Sequence, residues 1–315
     1  MLHPKIDDIK VAHQRIKPHI HNTPVLTSQA INGVCGSSLF FKCENFQKVG
    51  AFKIRGATNA VQLLSDDEAA KGVATHSSGN HGAALALAAR TRGVKAWVVM
   101  PENSSEIKKQ AVAAYGAEVI LCESTLEGRE LALKKVVEST GANFIHPFND
   151  SRIIAGQGTA ALELLEEIPD LDVVLAPVGG GGLISGTALT VSAISPKTKV
   201  IAAEPEEADD AYRSFQQGTL IPLTHSNTIA DGLRTSLGDL TFDIIQSHVA
   251  EIITVSEKKI IEAMRLIWER MKIIVEPSAA VPLAVLLTER EIFQGLRIGL
   301  ILSGGNLDLE KLPWN

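Results

Sequence analysis

Residues 172–194, DVVLAPVGGGGLISGTALTVSAI, pass from a short apolar run through four glycines into a second apolar run of helical length. The first run reads as a buried strand, the second as a helix, and the glycines as the turn joining them. A strand that feeds directly into a helix is the unit of a parallel sheet, because parallel strands need a crossover connection. The same alternation extends in both directions. Toward the N-terminus lie SLFFKCE (38–44), GVATHSS (72–78), KAWVVMP (95–101), AEVILCE (117–123) and NFIHPF (143–148); toward the C-terminus lie KVIAAEP (199–205), EIITV (251–255) and RIGLILSG (297–304). The expected fold is α/β, in two lobes, each a mainly parallel twisted sheet flanked by helices. Residues 72–149 hold enough strands for a small mobile lobe, and residues 1–71 with 150–315 make a larger one.

Composition narrows the function. The chain has 315 residues, 45% of them apolar and 21% charged, enough for a full core. A net charge of -6 gives no electrostatic footprint for nucleic acid or anionic lipid. The opening MLHPKIDDIK carries acids where a signal peptide needs an apolar run, and no uncharged stretch is long enough to span a membrane. A cytoplasmic location is expected. Cys35, Cys43 and Cys122 form no CxxC pair, which points to reduced thiols and away from a disulfide framework or a zinc site.

In open parallel sheets ligands bind beyond the carboxyl ends of the strands. Unusual segments fall there: Ser77 to Gly82, Gly179 to Gly182, Glu204, and Ser303 to Asn306. Lys53 shares a helical stripe with Ala57, Ala60, Val61 and Leu64, so it points with the apolar face. A lysine desolvated in this way tends to lose its proton, as a Schiff-base amine must; on this segment alone, a lysine snorkelling to water stays open. The four glycines offer backbone N–H groups at a helix N-terminus, suited to a phosphate, and a tight turn is the other reading. They do not fit the G-x-G-x-x-G dinucleotide fingerprint, and no Walker lysine accompanies them. Ser77 to Gly82 opens a helical run with donors for a carboxylate, although Ser78 also reads as a helix cap. The acidic run 204–210 offers hard oxygen ligands for a cation or is a solvated loop. His81, His146 and His225 lack zinc-like spacing.

Several motifs occur in order along nearly the whole chain: HNTPVL (21–26), ENFQKVGAFKIRGATNA (44–60), THSSGNHG (75–82), AGQGT (155–159), PVGGGGL (177–183), ADGL (230–233), WERMKIIVEPSAA (268–280) and LSGGN (302–306). This ordered set resembles the serine racemase and serine/threonine dehydratase family of fold type II pyridoxal-phosphate enzymes. The resemblance implies that Lys53 holds pyridoxal 5'-phosphate covalently, with Phe52 beside its ring and Asn80 near its 3-hydroxyl. Gly179, Gly180, Gly181 and Gly182 would hold the phosphate, and the Ser303 hydroxyl would meet the pyridine nitrogen. A hydroxyl there leaves the ring a weaker electron sink, which favours elimination.

By the same resemblance Lys53 removes the Cα proton of a small β-hydroxy amino acid, and Ser78 is a second base on the opposite face, opening racemisation. Ser77, Ser78, Asn80 and His81 would line the substrate carboxylate, with Arg129 near the substrate end. Glu204, Asp210 and the carbonyl of Ala208 match a divalent-cation site for Mg2+, or Ca2+ or Mn2+. A homodimer is implied. Ala83 and Phe148 stand where animal serine racemases carry glutamine and asparagine, so an ATP site is not implied. The chain ends soon after LSGGNLDL, so no regulatory domain and no isoleucine feedback are expected. A 3-hydroxyaspartate dehydratase is the alternative enzyme. A catalytically silent cofactor carrier or ligand sensor is the alternative of another class, and Lys53, Ser78 and Ser303 together argue against it.

Overall fold

The computed structural model describes residues 3–77 and 79–314. In chain order the strands are β1 (Val25–Leu26), β2 (Ser38–Cys43), β3 (Val73–His76), β4 (Ala96–Pro101), β5 (Glu118–Cys122), β6 (Asn143–Phe144), β7 (Val173–Pro177), β8 (Lys199–Pro205), β9 (Glu251–Val255) and β10 (Arg297–Leu302). A six-stranded sheet runs β1-β2-β10-β7-β8-β9, and a four-stranded sheet runs β5-β4-β3-β6. Every strand from β2 onward is an apolar run already visible in the sequence, and all their pairings are parallel. The exception is β1, a two-residue antiparallel edge against β2. Two residues are too few to show a period, so no sequence pattern announces it.

Both sheets are covered on both faces, and the strand residues alternate accordingly. Val173 and Leu175 join the core beneath the helices Glu257–Met271 and Pro277–Thr288. Their neighbours Val174 and Ala176 face the helices Ser151–Glu167 and Gly182–Ile194 on the opposite side. In the smaller sheet Val98 and Met100 pack against the helices Lys53–Gln62 and Asn80–Arg92, while Trp97 and Val99 face the helix Leu126–Thr140.

Close helix contacts hold the lobes' shared floor. A Cβ on Gly156 would lie 2.5 Å from Gly56 Cα, and one on Gly186 would lie 2.5 Å from Gly158 N. The AGQGT stretch is therefore a double contact surface, one glycine for the helix that starts at Lys53 and one for the helix after the glycine turn. A buried ionic cluster pins the first of these helices further. Arg55 is fully buried and donates to Glu44, Glu163 and Thr159, while the buried Lys42 donates to Glu163 at 2.6 Å. Two cations thus balance two carboxylates, which the interior tolerates only with this degree of pairing.

Cys35, Cys43 and Cys122 are free and buried. Among the described residues no helix is long and apolar enough to cross a membrane.

Candidate active site

The helix Lys53–Gln62 begins at the lysine itself, with Phe52 as its N-cap residue. The backbone N–H of Phe52 donates to the Ser303 carbonyl at 3.0 Å, and Ala51 bridges to Gly304. The turn leading into this helix is thereby fixed to the end of β10. Lys53 Nζ donates to the Pro147 carbonyl at 2.9 Å and lies 5.2 Å from the Phe52 ring centroid. The side chain keeps partial exposure along the cleft, yet protein atoms crowd it on the remaining sides. That desolvation pushes its pKa down to about 8, against an opposing pull from the Glu276 charge.

Phe148, the neighbour of Pro147, brings the glycine turn to the same place. A Cβ on Gly180 would fall 2.3 Å from the Phe148 ring, and one on Gly179 would fall 2.9 Å from Leu233 Cα. Gly181 has φ +88 and lies against Thr241, whose hydroxyl donates to the Gly180 carbonyl at 2.9 Å. The glycines thus admit an aromatic ring and a neighbouring backbone as well as forming a turn. Among the described residues, the backbone N–H groups of Gly179, Gly180 and Gly181 donate none of the loop hydrogen bonds. Together with the N-terminus of the helix Gly182–Ile194 they form a set of free donors suited to an anion.

The smaller lobe contributes the end of β3 and the helix that follows. Ser77 is half-buried, and its hydroxyl accepts from the backbone N–H of Gly79 at 3.3 Å. Asn80 opens the helix Asn80–Arg92 and donates to Glu276 at 3.0 and 3.2 Å. His81 is buried with its ring directed at the Ile145 carbonyl, and burial and the Lys53 charge hold its pKa well below the usual histidine range. Its ring is thus neutral packing, and its backbone is what lies at the helix start. Ser78 lies outside the described residues.

Arg129 stands apart from this cluster, on the helix Leu126–Thr140, with Nε donating to the Thr125 carbonyl. Its charge still reaches His76 at the end of β3, where it adds to burial in lowering the histidine pKa.

Structure adds two residues that sequence reasoning did not single out, Glu276 and Pro147, and gives a role to Asn306, the end of a segment already marked. Glu276 is buried, and burial with the Asp231 charge raises its pKa to about 7. Asn306 donates to Asn80 Oδ1 at 2.9 Å, and its backbone N–H donates to Glu276 at 3.1 Å. Pro147 supplies the carbonyl at Lys53. The sequence signals were slight: a glutamate before a proline reads as a helix start, and a backbone acceptor has no signature.

Glu204 lies near the carboxyl end of β8 and Asp210 begins the helix Asp210–Gln217, each 1% exposed. Glu204 accepts from the backbone N–H groups of Ala211 and Tyr212, while Asp210 Oδ1 is buried with no hydrogen-bond partner. Burial and the Asp210 charge push the Glu204 pKa well above its usual value, and burial pushes Asp210 to about 7. Ala208 is buried in the turn between them. No trio of His, Cys, Asp or Glu side chains is grouped for a metal among the described residues; a cation here would be held by two carboxylates and backbone oxygen.

The family described as pyridoxal-phosphate dependent enzyme matches residues 16–304. The beta-hydroxyaspartate dehydratase of Paracoccus denitrificans is 55% identical over 312 residues, covering 99% of each chain. The serine racemase of Arabidopsis thaliana is 52% identical over 311 residues, 96% of this chain and 93% of the other. The crystal structure of serine racemase from Dictyostelium discoideum superposes with a TM-score of 0.93 at 51% identity, covering 97% of this chain and 99% of that one.

Proposed function

This chain belongs to the family of pyridoxal-phosphate-dependent enzymes, and from that premise we propose that it removes the Cα proton of a small β-hydroxy amino acid and expels the β-hydroxyl, with racemisation as the competing outcome. The observation that carries this reading is Lys53: a desolvated amine in a cleft, held by a carbonyl, between free glycine N–H groups and the Asn80–Glu276 pair.

The residues present fit the cofactor. Gly179, Gly180, Gly181 and Gly182 supply free donors for its phosphate, Lys53 the attaching amine, Phe52 a flanking ring, and Asn80 and Ser303 polar contacts at its edge. When bound, pyridoxal phosphate supplies an electron sink for the charge left at Cα. Lys53 supplies the base. Its lowered pKa keeps a useful fraction of the amine neutral near neutral pH, and its fixed position gives it a high effective concentration. Pro147 O would hold the amine in place whenever it is not attached to the cofactor. Phe148 and Leu233 close over the glycine turn and limit water. Ser77, Ser78, Asn80 and the start of the helix at His81 orient the substrate carboxylate, and Ser78 is the second base if the proton returns on the other face.

A second reading, 3-hydroxyaspartate as the substrate, is favoured by the 55% identity to a beta-hydroxyaspartate dehydratase over 99% of each chain. Arg129 is the candidate partner for the extra carboxylate.

Further parts of the proposal are a divalent cation, Mg2+ or else Ca2+ or Mn2+, at Glu204, Asp210 and the Ala208 carbonyl, a homodimer, and a cytoplasmic location. The unpartnered Asp210 Oδ1 supports the first, and the free, buried cysteines support the last. The lobe of residues 72–149 closes over substrate, and a small-angle scattering profile unchanged by substrate counts against this.

The deciding experiment incubates protein and pyridoxal phosphate separately with L-serine, L-threonine and L-threo-3-hydroxyaspartate, following keto acid and D-amino acid. Keto acid alone makes the chain a dehydratase of its fastest substrate, D-serine adds racemase activity, and neither product from any of the three overturns the reading.

A further inference from the structure

Glu276 is the N-cap residue of the helix Pro277–Thr288, yet its side chain caps nothing there. It turns into the cleft, where it is 3% exposed and its oxygens accept from Asn80 Nδ2 at 3.0 and 3.2 Å and from Asn306 N at 3.1 Å. Asn306 Nδ2 donates to the Val49 carbonyl at 2.7 Å and to Asn80 Oδ1 at 2.9 Å. Which end of an amide is nitrogen is decided by its partners. A carbonyl and an ionised carboxylate can only accept. Val49 therefore fixes the amide of Asn306, and Asn80 is held at both ends, its oxygen by Asn306 Nδ2 and its nitrogen by Glu276. Both contacts from Asn80 reach one carboxylate, so a single bridging N–H accounts for them and the second N–H is left for the cleft.

We propose that Glu276 is a positioning residue that locks the Asn80 amide so that a donor N–H, and not the carbonyl oxygen, is offered to the cofactor held at Lys53. This rests on the reading of Lys53 and Asn80 given above. A donor stabilises negative charge on a ring oxygen of the cofactor, and an acceptor in its place repels it. The charged groups facing the carboxylate are Asp231, which opposes its ionisation, Lys108, which favours it, and Lys53. With the Glu276 pKa raised to about 7, protonation near neutral pH gives the carboxyl a donor of its own and releases the lock.

The test is the absorption spectrum of the bound cofactor in the holoenzyme across pH, with cofactor stoichiometry measured alongside. Glu276→Gln can offer the amide either a donor or an acceptor. Its spectrum is expected to shift from the longer-wavelength band of the ionised ring oxygen toward the shorter-wavelength neutral form, with a fall in kcat of about tenfold and little change in KM. In an Asn80→Ala background the same substitution adds nothing, because its effect passes through Asn80. If Glu276→Gln does not fold, Glu276→Ala, which takes the acceptor away from Asn80 Nδ2, is read instead with the same expectation. An unchanged spectrum at full stoichiometry, or an additive change in the Asn80→Ala background, overturns the proposal. A covalent band that survives in Lys53→Ala, or that never forms in the unaltered protein, overturns the reading of Lys53 instead.

Discussion

Lys108 Nζ lies 2.5 Å from Asp231 Oδ2, joining the helix Glu106–Ala114 beside the four-stranded sheet to the turn Asp231–Leu233 beside the six-stranded one. The same turn places Leu233 over Gly179. The pair therefore crosses the cleft at the edge of the site. Both side chains are partly exposed, at 35% and 43%, which limits such a pair to about 0.2–1 kcal/mol. At a pH high enough to keep Glu276 ionised without Lys108, Lys108→Ala is expected to raise KM by up to about fivefold with kcat little changed, and the difference should vanish in high salt. Steady-state kinetics at two ionic strengths check this; a loss confined to kcat would show that the pair does not act on closure.

Lys53 sets a pH dependence in the apo protein. An amine must be neutral to attack an aldehyde. Its pKa is lowered to about 8, so cofactor uptake should accelerate with pH through about 8 and then level off. An ordinary lysine, at 10.5, would still be accelerating there. Glu276 pulls the pKa upward, so Glu276→Gln is expected to move the midpoint below that of the unaltered protein. Stopped-flow absorbance at a series of pH values measures both midpoints, and a midpoint unmoved by Glu276→Gln would mean that the charge does not reach the amine.

What the sequence made legible and what it hid follow one physical line. Strands β2 to β10 were visible because each falls in a short apolar run between helix-period stretches, a local pattern that needs no partner to be seen. The glycine turn was visible for the same local reason. Lys42, Glu44, Arg55 and Glu163 were not, since a charge in isolation reads as surface; their burial exists only where β2 meets two helices. Lys42, set between Phe41 and Cys43, was the one available hint. Glu276 was hidden likewise, because its partners Asn80 and Asn306 are 196 and 30 residues away along the chain.

Arg55 makes five hydrogen bonds, two to Glu44, two to Glu163 and one to Thr159. Removing one partner of a buried ionic cluster typically costs about 3–5 kcal/mol, because the remaining charges are left uncompensated. Arg55→Ala should destabilise the chain by that amount in urea unfolding. Arg55→Lys should recover little of it, since an ammonium cannot reproduce the planar fork that serves both carboxylates. Full recovery by lysine would mean that charge alone, without the fork, sustains the cluster.

Asp210 offers a test of the cation site that is independent of catalysis. Its Oδ2 accepts from Leu237 N, while Oδ1 is buried without a partner, and Glu204 lies beside it with its own ionisation opposed. In the metal-free protein these buried acids are a strain, which a divalent cation at the proposed site would relieve. An ion at a hundredfold excess over its Kd stabilises the fold by about 2.7 kcal/mol. At roughly 2–4 °C per kcal/mol, that is a rise in Tm of about 5–10 °C. Mg2+, Ca2+ and Mn2+ are to be compared in thermal melts, with a chelator reversing the rise. Asp210→Asn keeps the acceptor for Leu237 and removes a buried charge, so the metal-free variant should melt above the unaltered protein and gain nothing from the ion. An equal rise in both proteins would place the cation elsewhere, and no rise in either would leave the two carboxylates as a protonated pair.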